Sequence, residues 1–222
     1  MNTIHIDLFA DIACPWCYLG ETRLHNALAQ RPGLRAQFRW RPFQLEPRIP
    51  ARGAPWKEFV RTKFGGSERA QAIFTHLTEV GAAANIEFDF NRMTVAANTR
   101  DAHRLIMMAA DGAQQRRIAR ELFHAYFAEG ANVGDTGTLA RIGARVGLQE
   151  ATVLEYLNSD EGIQAVEESQ NEAATIGVTG VPFYIFNGRY AFTGAQSIEA
   201  FLRAIDAATA TEADRNTVAM VA

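Results

Sequence analysis

Hydrophobic and polar residues alternate at the N-terminal end of the chain, with the two-residue period of a β-strand. The alternation covers Thr3–Ala10 and returns over Leu34–Phe43. Between these stretches the pattern turns helical from Cys17 and ends near Pro32. Two strands that flank one helix with short connections predict a parallel β-α-β unit.

A second β-rich region lies near the C-terminus, at Val181–Phe186 and Arg189–Thr193. Asn187-Gly188 separates the two runs and predicts a tight hairpin, because both turn residues must adopt positive φ. A helix is predicted from Ser197, a good N-cap residue, to about Ala208. Neither pair of strands can bury its face alone, so strands from both ends of the chain are expected to share one sheet.

Between these regions, from Trp56 to Ile176, the chain has almost entirely helical patterns, which predict five or six helices. A proline-rich loop around Pro50 precedes this block. We predict an α/β domain formed by residues 1–48 and 177–210, with an all-helical insertion at 49–159. A helix at about 160–176 leads back to the sheet, and residues 211–222 form a mobile tail, because they lack an apolar period.

Composition excludes several classes of function. The chain has 222 residues, 48% hydrophobic and 21% charged, with a net charge of −3. That charge balance does not indicate a basic surface for binding nucleic acid. The basic cluster Arg31–Arg41 is interpreted as a solvent-exposed face. No secretory signal and no apolar run of ~20 residues is present, so we expect a cytoplasmic protein that binds no membrane.

The two cysteines, Cys14 and Cys17, are three residues apart at the predicted strand–helix junction. Pro15 suits the first helical position, which makes Cys14 the N-cap. There the helix dipole and free amides favour a thiolate, so Cys14 is the expected exposed nucleophile. Cys17, one turn further along, is the expected resolving thiol, and Trp16 is expected on the surface against the substrate.

Two other interpretations of the cysteine pair are weaker. Structural zinc needs four ligands, and His25 lies two turns away along the helix, too far to join this pair. An inert pair of core cysteines is also compatible with the spacing. The position between a strand and a helix favours redox chemistry over both, and we expect no metal.

Pro182 stands at the start of a predicted strand, where it cannot donate a hydrogen bond. Taken alone, it fits an ordinary trans-proline in a loop. A cis-proline in a tight turn becomes the better interpretation once Pro182 is paired with C-x-x-C on a β-α-β unit.

The combination of Cys14-Pro15-Trp16-Cys17 with Gly180-Val181-Pro182 resembles the DsbA-like branch of the thioredoxin superfamily, and within it the FrnE-like cytosolic oxidoreductases. The resemblance covers nearly the whole chain. Weaker matching signs complete it: Asp11, Asn98-Thr99, Ala102-His103-Arg104 and Gly194-Ala195-Gln196.

The resemblance implies a thioredoxin-like fold with a large all-helical insertion. It also implies that Pro182 is cis beside the cysteines, with Gly180 and the backbone of Val181 binding an extended substrate segment. One departure concerns proton transfer. The family's usual buried carboxylate, six residues before the first cysteine, is replaced by Leu8, so Cys17 needs a different proton acceptor.

Three polar residues are further candidates for the groove above the cysteines. Asp11 is either a loop acid or a neighbour of the helix N-cap. Asn98 has a structural interpretation as the N-cap of the helix through Leu105. His103 and the adjacent Arg104 either line the groove or lie on the surface.

The leading functional hypothesis is dithiol–disulfide exchange or disulfide isomerisation on protein, peptide or small-molecule thiols. No cofactor is expected, although glutathione is a candidate co-substrate, and a homodimer is a candidate assembly. The second hypothesis is a glutathione-dependent transferase or isomerase, of the kappa-class or hydroxychromene carboxylate isomerase type. Those enzymes typically carry serine where Cys14 stands. The third hypothesis is a non-catalytic module that binds extended peptides.

Overall fold

The computed structural model describes residues 2–210, except the side chains of Asn2 and Ser67. The predicted mobile tail therefore lies outside the described residues. The strands are β1 (Asn2–Ala10), β2 (Leu34–Pro42), β3 (Ala54–Pro55), β4 (Val95–Ala96), β5 (Phe183–Phe186) and β6 (Tyr190–Thr193). The helices are α1 (Pro15–Ala29), α2 (Trp56–Phe64), α3 (Ser67–Ala82), α4 (Arg100–Met107), α5 (Gly112–Phe127), α6 (Thr136–Arg145), α7 (Glu150–Asn158), α8 (Ile163–Thr175) and α9 (Ile198–Thr209).

The main sheet has the strand order β2-β1-β5-β6. β1 pairs in parallel with β2 along its full length and antiparallel with β5, which pairs antiparallel with β6. The predicted β-α-β unit and the shared sheet are both confirmed. The two ends of the chain therefore meet along β1.

Alternation along β1 follows from burial on the two faces of the sheet. Ile4, Ile6 and Leu8 are at most 1% exposed and pack in one core cluster with apolar side chains of α1 and α9. Phe9 points to the opposite face, where it packs with Ala173 of α8. Helices thus cover both faces of the central strand.

The predicted hairpin forms at Asn187-Gly188, with φ of +50° and +65°. Asn187 also connects separate parts of the fold. Its side-chain oxygen accepts the backbone N–H of His5 at 2.8 Å, and its side-chain nitrogen donates to the carbonyl of Ala208 at 2.8 Å. Ser197 caps α9, as predicted, and accepts from the backbone N–H of Ala200.

Within the described residues, the helical region contains seven α-helices, α2 to α8, instead of the predicted five or six. The missed breaks follow α4 and α6. Asp111 caps α5 by accepting the backbone N–H of Gln114, and Gly147 takes φ +90° after α6. One Asp or one Gly is therefore enough to end a helix even where the hydrophobic pattern of the sequence continues past it.

The insertion is also not entirely helical, because β3 and β4 form a two-residue antiparallel pair. No helix among the described residues is long and apolar enough to span a membrane. Three arginines of the predicted surface cluster form ion pairs within the chain: Arg31 with Asp206, Arg39 with Asp7 and Arg41 with Glu172.

Candidate functional site

The two cysteines lie at the N-terminus of α1. Cys14 is the N-cap, with extended backbone (φ −100°, ψ 111°), and Pro15 is the first helical residue. The carbonyl of Cys14 accepts the backbone N–H groups of Cys17 at 3.0 Å and Tyr18 at 3.3 Å. Both thiols are free. Because Pro15 lacks an N–H, the first turn begins without an unsatisfied donor at that position.

The expectation that Cys14 is exposed is wrong. Its side chain is only 4% exposed, and Cys17 is fully buried. The Cys14 thiol lies 3.8 Å from the carbonyl oxygen of Val181, so the segment before β5 covers it. Trp16, in contrast, is 38% exposed, as expected for the residue between the cysteines.

The Cys17 thiol is fully buried, and its surroundings raise its pKa. Burial raises its pKa well above the usual thiol value, and a hydrogen bond with the Cys14 thiol raises it further. A buried thiol resists ionisation because its charged form loses hydration. Cys17 is therefore a protonated thiol without access to solvent.

The Val181–Pro182 peptide bond is cis. The carbonyl of Pro182 accepts the backbone N–H of Gly194 at 2.8 Å, and Arg23 of α1 donates to the carbonyl of Ala195 at 2.7 Å. The Gly194-Ala195-Gln196 motif therefore fixes the turn at Pro182 to the helix that carries the cysteines.

Tyr184 is a buried polar residue that the sequence reasoning missed. It stands opposite Leu8 in the pairing of β5 with β1, and its hydroxyl has no hydrogen-bond partner among the described residues. Burial raises its pKa, and the nearby Cys17 adds to the rise. The strand alternation of Tyr184 with Phe186 could have placed this hydroxyl inside the protein.

Gly20 is the reason that Tyr184 and Pro182 can approach α1. A Cβ atom at Gly20 would lie 2.3 Å from the Tyr184 hydroxyl and 3.1 Å from Cγ of Pro182. Gly20 is three residues after Cys17 and so lies on the same side of the helix. The absence of a side chain here lets the turn at Pro182 pack close to the cysteines.

Asp11 is a buried loop acid that joins two segments at the site. It is 1% exposed, and its carboxylate accepts the backbone N–H groups of Ala13 at 3.2 Å and Leu45 at 2.7 Å. Its carbonyl accepts the N–H of Cys14 at 3.1 Å. Asp11 therefore positions the start of α1 against the loop after β2.

His103 neither lines a groove nor reaches the surface, contrary to both expectations. It is fully buried; its Nδ1 accepts from the indole N–H of Trp40 at 3.1 Å, and its Nε2 lies 3.5 Å from the Asp11 carboxylate. Arg104 is likewise 1% exposed and donates to the carbonyls of Tyr156 and Ser159, both at 2.7 Å. A helix packed on several sides buries both residues.

Asn98 is also not a groove residue. Thr99 is the N-cap of α4, but the Asn98 side chain accepts the backbone N–H of Arg100 at 3.0 Å. Its amide nitrogen donates to the carbonyl of Ile49 at 2.6 Å. Asn98 therefore caps α4 from one residue earlier and anchors the loop that follows β2.

A cavity of about 190 Å³ adjoins Cys14 and extends toward the insertion. Asp11, Cys14, Pro15 and Trp16 form one side, whereas Gly180, Val181 and Pro182 do not line it. A larger cleft of about 920 Å³ lies beyond Trp56 and Phe74 but contains neither cysteine. Among the described residues, no three His, Cys, Asp or Glu side chains cluster as a metal site requires.

Comparison with known proteins identifies relatives with this fold. Residues 5–206 match the family model of the DSBA-like thioredoxin domain. A probable DsbA oxidoreductase from Streptomyces coelicolor is 30% identical, with a TM-score of 0.82 over 92% of this chain and 89% of that one.

Two more distant structures share the fold. A 2-hydroxychromene-2-carboxylate isomerase has 20% identity and a TM-score of 0.70 over 91% of this chain and 95% of that one. The cytosolic disulfide reductase DsbM from Pseudomonas aeruginosa, solved with GSH, has 17% identity and a TM-score of 0.59 over 92% and 95% of the two chains.

Adding a methyl group at Gly20 should disrupt the packing around the cysteines. We predict that Gly20→Ala lowers the free energy of unfolding by about 1–3 kcal/mol through overpacking, as measured by urea denaturation. Tyr184→Phe in the same chain should recover part of the loss, because it removes the atom closest to the added methyl. Gly33→Ala is the matched control, since nothing lies within 4 Å of a Cβ there. Equal stability of Gly20→Ala and wild type would refute this packing.

The raised pKa of Cys17 predicts a pH dependence of stability. Above the unfolded thiol pKa of about 8.5, the unfolded chain releases a proton that folded Cys17 keeps, so stability falls as pH rises. The contribution of Cys17 is fully present below pH ~8.5 and declines above it by up to about 1.4 kcal/mol per pH unit. Urea denaturation of the dithiol form at several pH values should show a steeper decline for wild type than for Cys17→Ser. If stability falls equally steeply with pH in the two proteins, the pKa of Cys17 is not raised by folding.

Proposed function

Since the chain belongs to the DSBA-like thioredoxin domain family, we propose that it is a thiol–disulfide oxidoreductase acting through Cys14 and Cys17. The observation that carries this proposal is the pair itself: two free thiols, one turn apart at a helix N-terminus, with the Val181 carbonyl 3.8 Å from the first sulfur. That spacing is compatible with a disulfide between the two residues.

In the reductive direction, the Cys14 thiolate attacks one sulfur of a substrate disulfide. The substrate S–S bond breaks, a mixed disulfide with Cys14 forms, and the first substrate thiolate leaves. Cys17 then loses its proton and attacks Cys14 Sγ, which closes the Cys14–Cys17 disulfide and releases the second thiolate. The substrate gains two electrons and the protein loses two. Oxidation of a dithiol substrate runs the same steps in reverse.

The different environments of the two thiols support this division of roles. Cys14 borders the cavity, whereas Cys17 is fully buried with a raised pKa. Cys17 does not line this cavity, so it cannot be the first thiol to meet a substrate there. Once a mixed disulfide has formed on Cys14, however, Cys17 is already one helical turn away. Position 8 is occupied by Leu8, a buried residue whose side chain has no carboxylate. Another group must therefore accept the proton that leaves Cys17.

An extended protein or peptide segment is the proposed substrate at the Val181–Pro182 turn. The backbone of Val181 faces Cys14, and exposed Trp16 offers an apolar surface beside it. Main-chain hydrogen bonds would provide affinity with little dependence on sequence. The FrnE-like branch and a cytoplasmic location are parts of the same proposal, since the motifs around Cys14 and Pro182 fit that branch.

A glutathione-dependent transferase or isomerase is the second candidate. Its support is the fold likeness to 2-hydroxychromene-2-carboxylate isomerase. Glutathione also fits the first proposal as a co-substrate, given that DsbM shares the fold and was solved with GSH. The presence of both cysteines favours exchange on the protein's own thiols. A non-catalytic peptide-binding module accounts least well for two free thiols at the helix N-terminus.

Matched serine substitutions test the roles of the two thiols. Cys14→Ser should abolish dithiothreitol-driven reduction of insulin, because no nucleophile meets the substrate. Cys17→Ser should accumulate a mixed disulfide on Cys14, detectable by non-reducing electrophoresis and mass spectrometry. The two variants carry the same chemical change one turn apart, so each controls for the other.

Circular dichroism should show that both variants fold. Full insulin-reducing activity in Cys14→Ser would disprove the proposed mechanism. Glutathione-dependent isomerisation that survives Cys17→Ser would favour the second candidate instead.

A further inference from the structure

The cavity beside Cys14 has the size of one aromatic ring. Its volume is about 190 Å³. An engineered apolar cavity of about 150 Å³ in another protein stays dry and binds benzene. A cavity of this size is too small for a peptide or for a whole cofactor, which occupy roughly 300–1,000 Å³. It can hold one compact group that is attached to a reacting sulfur.

The walls of this cavity are mostly hydrophobic. Aromatic side chains from the insertion form much of the lining, and Ile73 and Leu77 of α3 add aliphatic surface. The aromatic residues from the insertion are Trp56, Phe59, Phe64, Phe74, Phe90, Tyr126 and Phe127. Rings pack well against rings in offset or edge-on arrangements, so such walls favour an aromatic occupant.

The charged residues that line the cavity all have partners within the chain. The Asp11 carboxylate accepts two backbone N–H groups, from Ala13 and Leu45, and Lys63 forms an ion pair with Glu46. A charged ligand group would have to displace one of these partners to be bound. The cavity therefore suits an uncharged group.

One end of the cavity is formed by the cysteine motif. Cys14, Pro15 and Trp16 all line it, so a group inside lies beside the residue that carries the thiol. We propose that this cavity is a specificity pocket for an uncharged aromatic group on the thiol or disulfide that reacts with Cys14. This inference rests on the proposed function, since it names the substrate class of the same site. The aromatic group enters the pocket while its sulfur stays at Cys14.

Two mixed disulfides that share a leaving group provide a direct kinetic test. One joins benzyl thiol to cysteamine, and the other joins methanethiol to cysteamine. We expect the wild-type kcat/KM for the benzyl compound to exceed that for the methyl compound by roughly tenfold or more, because the ring is removed from water. A wild-type ratio near one would overturn the proposal.

Variants that fill the pocket should lower this ratio. Ile73→Trp adds bulk from α3, and Leu45→Trp adds it from the opposite wall, where Leu45 is 39% exposed and tolerates a larger side chain. Gln71→Trp is the matched control, because Gln71 is an exposed residue on α3 that does not line this cavity. The control should keep the wild-type ratio. A ratio unchanged in both filled variants would show that the ring binds elsewhere.

A binding measurement separates this inference from the proposed function. Cys14→Ser cannot exchange disulfides but keeps the cavity, so it should bind benzyl methyl sulfide saturably in ligand-observed NMR. The same variant carrying Ile73→Trp should bind it less. If the aromatic sulfide binds but the wild-type protein exchanges no disulfide, the pocket is supported and the redox role is refuted. If the wild-type protein exchanges disulfides but neither binds the aromatic sulfide nor prefers the benzyl compound, the redox role is supported and the pocket is refuted.

Discussion

The pairing of β1 with β5 is the contact on which the candidate site depends. β1 leads directly into the turn that carries Cys14, and β5 begins immediately after Pro182. In the observed register, Phe9 stands opposite Phe183 and Leu8 opposite Tyr184. This register brings residues 167 positions apart in sequence within 3.8 Å of each other. A shift of one residue would turn every β1 side chain to the wrong face.

A second set of contacts connects the helical insertion to this sheet. Asp11 bonds the backbone of Leu45, and Asn98 bonds the carbonyl of Ile49, so the loop after β2 is held from both sides. The aromatic cavity lies between this loop, the cysteine turn and helices α2 and α3. The turn after β1 thus supplies Cys14, and the insertion supplies most of the walls beside it. An insertion of this kind can change the shape of the cavity without altering the cysteine pair.

Local sequence signals are sufficient to predict much of the fold. Cys14 with Pro15 marked the start of α1, and Asn187-Gly188 marked the hairpin, because those conformations favour a few residue types wherever they occur. The sharing of one sheet followed from the need of each strand to bury a face. Breaks after α4 and α6 were missed, since one Asp or one Gly ended helices whose hydrophobic period continued.

Burial at the site was harder to predict than the identity of its residues. His103 and Tyr184 are buried by elements far away in the sequence, and no local pattern around His103 signals this. The position of Cys14 at a helix N-terminus predicts an exposed nucleophile, yet the segment at Val181 covers it. Gly20 is informative only once Tyr184 and Pro182 are in place. Properties of this kind depend on tertiary contacts that single-sequence patterns do not contain.

The proposed function requires that Cys14 and Cys17 form one reversible redox pair. The most direct measurement equilibrates the protein in buffers of reduced and oxidised glutathione, then quenches with acid, alkylates free thiols and determines mass. A reversible pair should show a single two-electron transition between the dithiol and an intramolecular Cys14–Cys17 disulfide, with a tenfold change in their ratio per roughly 30 mV. A dithiol that persists at every glutathione ratio, or a stable glutathione adduct without the intramolecular disulfide, would contradict it.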